Sequence, residues 1–495
     1  MAFTKLKAMA PWIVTLAVSA QCGATDTARP LPTTSVTYLD QMIDAAAQDN
    51  GIVGQSVRIL KNGKLVYSRD TGIESLDRPD PVNANTVFPV YSITKLYVAT
   101  LVAKLRSEGQ LNPEATVASY LDGLPQAWQN MKLKTLLSHT SGLPEFFSVR
   151  REYSNDPREV IASLKTQPTT FDVNSQVEYN QTNFMLIKMI IEKLYDDNLA
   201  DIINKEFVSP LGLSRTFYTR GEAGGQGRVS NYYINEGGSI VDFGVPVFKP
   251  VMFAASGLQT SADDMARWAE ALLSGQYLPA RALTDTWQPQ LLSDGLMGQY
   301  SNGWQVQREA KTTAVGHYGG NILNFRHFFL NDNPGQSVTI IHLTNGWGAE
   351  YFELFDFSYA LAKAVEPRLS IGSVDLKKAI LTHAASGDMT RMMETFEQFR
   401  KYAADQRMHA EMLVNTLGYQ VLESSPEAAA MLFKANLAAH PNSANAYDSY
   451  AEALYRSGQY ALAKQHFQKA FAINPAFDHI PGLLEDIDQA MKAAQ

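Results

Sequence analysis

Apolar and polar residues alternate along Ser56-Val-Arg-Ile-Leu60 and again along Lys64-Leu-Val-Tyr-Ser68, the period of two that a half-buried strand requires. Asn62-Gly63 lies between them, and because both residues tolerate positive φ the pair predicts a hairpin. Far downstream, Asn324 to Leu330 and Ser337 to Thr344 read as a second strand pair joined by Asn331-Asp-Asn-Pro-Gly335. The intervening chain has helical spacing instead: Thr94 to Ser107, Pro157 to Lys165, Thr182 to Tyr195, Leu199 to Phe207 and Ala262 to Ser274, with further helices predicted over Tyr38 to Asn50 and Gly348 to Val365. Ser261 followed by Asp264 is a capping-box arrangement at the head of the Ala262 helix. The economical architecture is an α+β fold over residues 35–365: a mixed antiparallel sheet built from both ends of the domain, flanking helices, and an all-helical region inserted between. Functional clefts tend to form where two such lobes meet.

Beyond Val365 only short helices are predicted. Pro441 and Pro475 stand 34 residues apart, and Glu427-Ala428, Phe433 and Pro441 align with Tyr460-Ala461, Phe467 and Pro475. That period resembles tetratricopeptide repeats, placed at residues 411–495, with 366–410 as a helical connector or degenerate repeat. Stacked helical pairs offer a concave surface, so a protein partner on these repeats is one expectation and a structural cap on the preceding domain is another.

Composition narrows the class without naming a function. The chain has 495 residues, too many for one ordinary core. Its net charge of −8, with no basic run, lacks the footprint of a nucleic-acid binder. Lys5 and Lys7, the apolar run Met9 to Ala17 and the small residues Val18-Ser19-Ala20 predict an export signal cleaved near Ala20, then a linker over 21–34. The run is too short for a permanent membrane span, so a periplasmic or secreted protein is expected. Cys22 is the only cysteine, which excludes an internal disulfide and Cys-ligated metal sites; lipid attachment there is a second reading that the preceding Gln21 disfavours.

Ser92-Ile-Thr-Lys95 opens an apolar helical run. A serine on the first turn feels the positive end of the helix dipole, and a lysine three positions on shares its face. Taken alone, the pattern fits equally a capping serine and a lysine that reaches solvent. Three further stretches favour chemistry. Tyr179-Asn180-Gln181 leads into the helix from Thr182, and Tyr179 could take the Ser92 proton if its pKa fell from about 10 towards 7, helped by the Lys95 ammonium. Gly316-His317-Tyr318-Gly319-Gly320 enters the strand near Asn324, where the Gly320 N–H could join that of Ser92 in holding an oxyanion and His317 could meet the substrate. Leu136-Leu-Ser-His139-Thr-Ser-Gly-Leu-Pro144 places a histidine among hydroxyls, more in the manner of a loop organiser than of a catalytic pair.

In order and spacing these motifs resemble the serine β-lactamase-related family, which includes class C β-lactamases, D-alanyl-D-alanine carboxypeptidases and esterases. The resemblance implies a β-lactamase/transpeptidase-like fold, an acyl-enzyme on Ser92, proton transfer by Lys95 and Tyr179, and Gln181, His317, Gly319 and Gly320 around the substrate, with no metal or organic cofactor. Two departures stand out. The family writes Tyr-x-Asn where this chain has Gln181, and His317 replaces the lysine with which true β-lactamases meet a substrate carboxylate. An exported hydrolase of an ester or small amide, a D-amino-acid peptide or β-lactam among them, is therefore expected, with a catalytically weak or inactive penicillin-binding-like protein that binds a ligand or partner through cleft and helical repeats as the rival.

Overall fold

The computed structural model describes residues 31–149, 152–218, 227–234, 239–346 and 354–493. The predicted export signal and Cys22 lie outside the described residues. After a helix at Thr33–Asp49 the chain forms β1 (Gly54–Lys61) and β2 (Lys64–Gly72), then β3 (Val87–Pro89), β4 (Phe217–Tyr218), β5 (Asn231–Ile234), β6 (Ile240–Gly244), β7 (Leu258–Ser261), β8 (Tyr300–Ser301), β9 (Trp304–Arg308), β10 (Thr312–Gly319), β11 (Leu323–Leu330) and β12 (Ser337–Thr344).

The main sheet is antiparallel, in the order β2-β1-β12-β11-β10-β9-β8. Its two ends of sequence meet where β1 pairs with β12, Ile59 opposite Ile340. Asn62 (φ 50°) and Gly63 (φ 74°) turn the β1–β2 hairpin, as their tolerance of the left-handed region predicts. β10, β11 and β12 are almost wholly buried, because helices cover both faces. On one face Leu39 and Ile43 of the first helix meet Phe355 and Tyr359 of the helix Leu354–Val365. On the other, the helices Thr94–Ser107, Gln181–Tyr195 and Ala262–Leu273 join one large apolar core.

Helix starts follow local chemistry. Asn180 Oδ1 accepts the Asn183 N–H (3.1 Å) and Ser261 Oγ the Asp264 N–H (3.2 Å). The capping box at Ser261 forms only by half: Asp264 turns away to accept from Arg215 N (2.7 Å) and the Thr216 hydroxyl (3.0 Å). The helix predicted to end at Phe207 stops at Ile203 and continues as a wider π turn, Asn204–Val208. Of the helix predicted from Gly348, the described part is Leu354–Val365.

The residues after Val365 are helical, antiparallel pairs running from Gly372–Ala385 to Ile480–Ala493 with their own apolar interior around Phe396, Leu417 and Phe433. Gly418 lets two of these helices touch, since a Cβ there would meet the Phe433 ring at 2.3 Å. Among the described residues no helix is long and apolar enough to cross a membrane.

Candidate active site

Ser92 lies in a 3-10 turn, Tyr91–Ile93, that leads directly into the helix Thr94–Ser107. Tyr91 is held at φ 44°, a conformation a bulky side chain adopts only when its surroundings impose it. Strand β10 does so: a Cβ on Gly319 would stand 2.5 Å from Val90 O, and one on Gly320 3.0 Å from the Tyr91 ring. The two glycines therefore let the chain of β10 and its exit press against the turn that carries Ser92. Gly316 to Gly319 are part of β10 itself, not a loop entering the next strand.

Lys95 is 0% exposed. Its Nζ donates to Gln181 Oε1 (2.9 Å) and Ala255 O (2.9 Å) and stands 3.5 Å from Ser92 Oγ. It also lies 4.7 Å from the centre of the Tyr179 ring and 5.0 Å from that of Phe184. Burial pushes the Lys95 ammonium well below its usual range, and the field of Glu145 only partly opposes this. Both acceptors around Nζ are uncharged, so a neutral amine facing Ser92 is well accommodated.

Tyr179 shifts the other way. Burial pushes its phenol well above the usual value, nearby Tyr300 adds to this, and the Ser92 hydroxyl and Gln181 amide oppose it. Neither of these neighbours meets Tyr179 Oη with hydrogen-bonding geometry. The sequence reading expects a lowered phenol here; the physical reason for the difference is that burial disfavours the phenolate by more than the neighbouring polar groups favour it. Burial therefore favours the neutral form of both groups, the protonated phenol of Tyr179 and the free amine of Lys95.

Gln181 is the first residue of its helix, and its longer amide spans to Lys95. The adjacent Asn180 is consumed by the cap and by Leu143 O, to which its Nδ2 donates (2.6 Å). Glu145 accepts the Gln181 N–H and the Phe147 N–H (2.9 Å).

The two histidines differ in role. His139 Nδ1 accepts the Asn180 N–H (3.0 Å), and its ring packs on Tyr179 (4.7 Å), Tyr300 (4.8 Å) and Phe184 (5.4 Å). It braces the Tyr179 segment from behind. His317 Nδ1 lies 2.7 Å from Tyr318 O, which places the proton there and leaves Nε2 an acceptor without a partner among the described residues. Burial, with Lys95 adding, holds both imidazoles neutral, well below their ordinary range.

Ser92, Tyr179, His317 and Gly320 line one cleft of about 840 Å³. Lys95, Gln181 and Gly319 stand behind its wall. The sequence reading does not find Tyr91, Asn231, Tyr232, Phe243, Tyr300, Gln305, Tyr318, Asn321 and Ile322, which complete the lining. Tyr300 links the site's aromatic groups: its ring faces His139, Tyr179 (5.7 Å) and His317 (5.9 Å), and its oxygen accepts from Gln305 Nε2 (2.9 Å). Asn231 Oδ1, buried with no partner among the described residues, adds another acceptor to the wall. No spacing in the sequence marks these residues, because they converge from separate strands.

A serine on a helix-leading turn beside a buried lysine, under strand β10 of an antiparallel sheet, defines a known class. Residues 39–363 match the Beta-lactamase family, and the chain belongs to that family. Protein flp of Staphylococcus aureus (strain MRSA252) is 22% identical over 316 residues, 62% of this chain and 62% of flp, so the chain spans less than two thirds of that relative's length. Among solved structures, the octameric penicillin-binding protein homologue from Pyrococcus abyssi superposes with a TM-score of 0.58 at 20% identity, covering 70% of this chain and 81% of its own. A D-amino acid amidase from Ochrobactrum anthropi SV3 gives 0.53 at 20% identity, covering 67% and 97%. These two likenesses are of fold.

Proposed function

We propose that the protein is an exported serine hydrolase that cleaves an ester or small amide through an acyl-enzyme on Ser92. The observation that carries this reading is the environment of Lys95: fully buried, held by two uncharged acceptors, and 3.5 Å from Ser92 Oγ. A serine hydroxyl needs a base, and burial, by favouring the neutral amine, equips Lys95 to act as one.

In the proposed cycle Lys95 Nζ takes the Ser92 proton as Oγ attacks the substrate carbonyl. The backbone N–H groups of Ser92 and Gly320 hold the oxyanion. Tyr179, kept protonated by burial, gives its proton to the leaving group and is reprotonated from Lys95. Water then releases the acyl group by the reverse path. Gln181 takes the place of the family's asparagine by aligning Nζ, and His317 Nε2 and Asn231 Oδ1 are available to substrate N–H or O–H donors. With His317 in place of a lysine, esters and amides fit better than rapid turnover of β-lactams, and the amidase among the structural neighbours makes D-amino-acid amides natural candidates. Residues 35–365 form the hydrolase unit in this reading, and 411–495 a repeat-like helical unit attached to it.

The reading is tested by hydrolysis of p-nitrophenyl acetate by the full chain and by Ser92→Ala. A rate that depends on Ser92 supports it, and equal rates in both proteins overturn it.

A further inference from the structure

Gln305 and Tyr318 face the Ser92 cleft on one side and a second chamber of about 230 Å³ on the other. The apolar walls of that chamber include Met297 and Phe355, and also Met408, Met412 and Leu413. Met412 and Leu413 lie on the helix Ala410–Leu422 and Met408 in the turn before it, all outside the family-matched residues 39–363. The C-terminal helices are fastened to the sheet edge. The Met297 N–H donates to Arg407 O (3.0 Å), and the Tyr402 hydroxyl donates to Glu309 Oε2 (2.7 Å), a buried carboxylate that also accepts the Ser373 N–H (3.2 Å).

Arg326 of β11 lines the same chamber and is 3% exposed. Its Nε donates to Asn324 Oδ1 (3.1 Å) and its Nη2 to Gln305 Oε1. The guanidinium lies 4.2 Å from the centre of the Tyr318 ring and 5.4 Å from that of Phe355. Amides, rings and the Tyr318 hydroxyl are thus its partners, and no carboxylate pairs with it among the described residues. A guanidinium cannot shed its proton, and a buried charge without a counterion costs several kcal/mol. An incoming carboxylate would relieve that cost with charge-assisted hydrogen bonds.

We propose that this chamber is a substrate subsite. The substrate's acyl group carries a terminal carboxylate on an apolar arm; Arg326 receives the carboxylate, and Met408 and Leu413 of the helical unit cover the arm. This assignment rests on the Ser92 hydrolase reading. It makes the C-terminal helices part of the enzyme's substrate selection, and it supplies from β11 the cation that the β10 motif lacks.

Binding to full-length Ser92→Ala protein, which needs no chemistry, tests the subsite by calorimetry with monomethyl suberate and its neutral counterpart methyl 8-hydroxyoctanoate. The carboxylate ligand should bind about tenfold or more tightly, the range expected of a hydrogen bond to a charged group. Arg326→Met added to Ser92→Ala should erase that preference, and Leu413→Trp, which fills the chamber from the helical side, should weaken both ligands. Equal affinity for the two ligands overturns the role of Arg326, and unchanged binding in Leu413→Trp overturns that of the helices. Ser92-independent hydrolysis of p-nitrophenyl acetate by the unmodified chain would sink the hydrolase reading instead, so the two failures are read separately.

Discussion

Replacing Gln181 by glutamate changes one atom's charge beside the proposed base and little else. Gln181 Oε1 lies 2.9 Å from Lys95 Nζ, and two unit charges at that spacing attract by about 6 kcal/mol at an effective dielectric near 20. The amide dipole already supplies part of this, and the new carboxylate is repelled by Glu145, which accepts the Gln181 N–H. A net of about 1.5–4 kcal/mol remains, equivalent to raising the Lys95 pKa by about one to three units. Lys95 must be neutral to take the Ser92 proton, so the neutral fraction at pH 7 falls and kcat/KM falls with it, by up to about a thousandfold and by less the further the wild-type value lies below 7. The assay is kcat/KM for p-nitrophenyl acetate from pH 6 to 9.5. The acid limb of the Gln181→Glu profile should move to higher pH, with activity recovering there, whereas Gln181→Met, which removes the acceptor without adding charge, should leave the limb in place or shift it down. An acid limb unmoved in Gln181→Glu would refute the assignment of Lys95 as the base.

Tyr179→Phe should lower kcat for an amide substrate about 10²- to 10⁴-fold, the usual worth of a general acid, yet still permit Ser92 to be labelled by a fluorophosphonate, whose fluoride leaves unassisted. Gly319→Ala should reduce activity far more than stability, because its Cβ would stand 2.5 Å from Val90 O and displace the turn that carries Ser92; activity and chemical denaturation measured on the same preparation separate the two effects. Lys95→Met abolishes activity and changes the pH dependence of stability. The folded-state pKa of Lys95 lies below its unfolded value, so between the two the unfolded chain binds more protons and wild-type stability rises with pH. The stability of wild type relative to Lys95→Met should therefore increase from pH 7 towards about 10.4, where the unfolded lysine also loses its proton; a constant difference would show that Lys95 is not buried.

The outer frame of the fold was legible because it rests on local signals. The Asn62-Gly63 turn fixes one hairpin, and the alternation in β1 and the apolar content of β12 bring the two ends of the domain together. β10 was legible only as an approach to the strand near Asn324, since Gly316 and Gly319 have weak strand preference; Gly319 and the following Gly320 admit Val90 and Tyr91, and Gly316 admits the backbone of Phe325. The meeting of Ser92 and Lys95, 3.5 Å apart, was readable from their spacing of three positions. Gln181 stood out as a departure, but its reach to Lys95 follows from Asn180 serving as the helix cap, a choice made in three dimensions. Tyr300, Asn231, Gln305 and Arg326 left no trace in the pattern, because each acts through partners from another strand. The direction of the Tyr179 shift differs from the sequence reading for a related reason: a sequence shows that a lysine stands near a tyrosine, but not how deeply the phenol is buried.

The central claim, an activated Ser92, is tested most directly by intact-protein mass spectrometry after exposure to a fluorophosphonate and, separately, to a penicillin, with Ser92→Ala as control. The account predicts one fluorophosphonate adduct per chain, located on Ser92 and absent from Ser92→Ala, with the presence and lifetime of a penicillin adduct distinguishing a peptidase-like enzyme from an esterase. A wild-type chain that gains no adduct from either reagent, or an adduct that persists in Ser92→Ala, would contradict it.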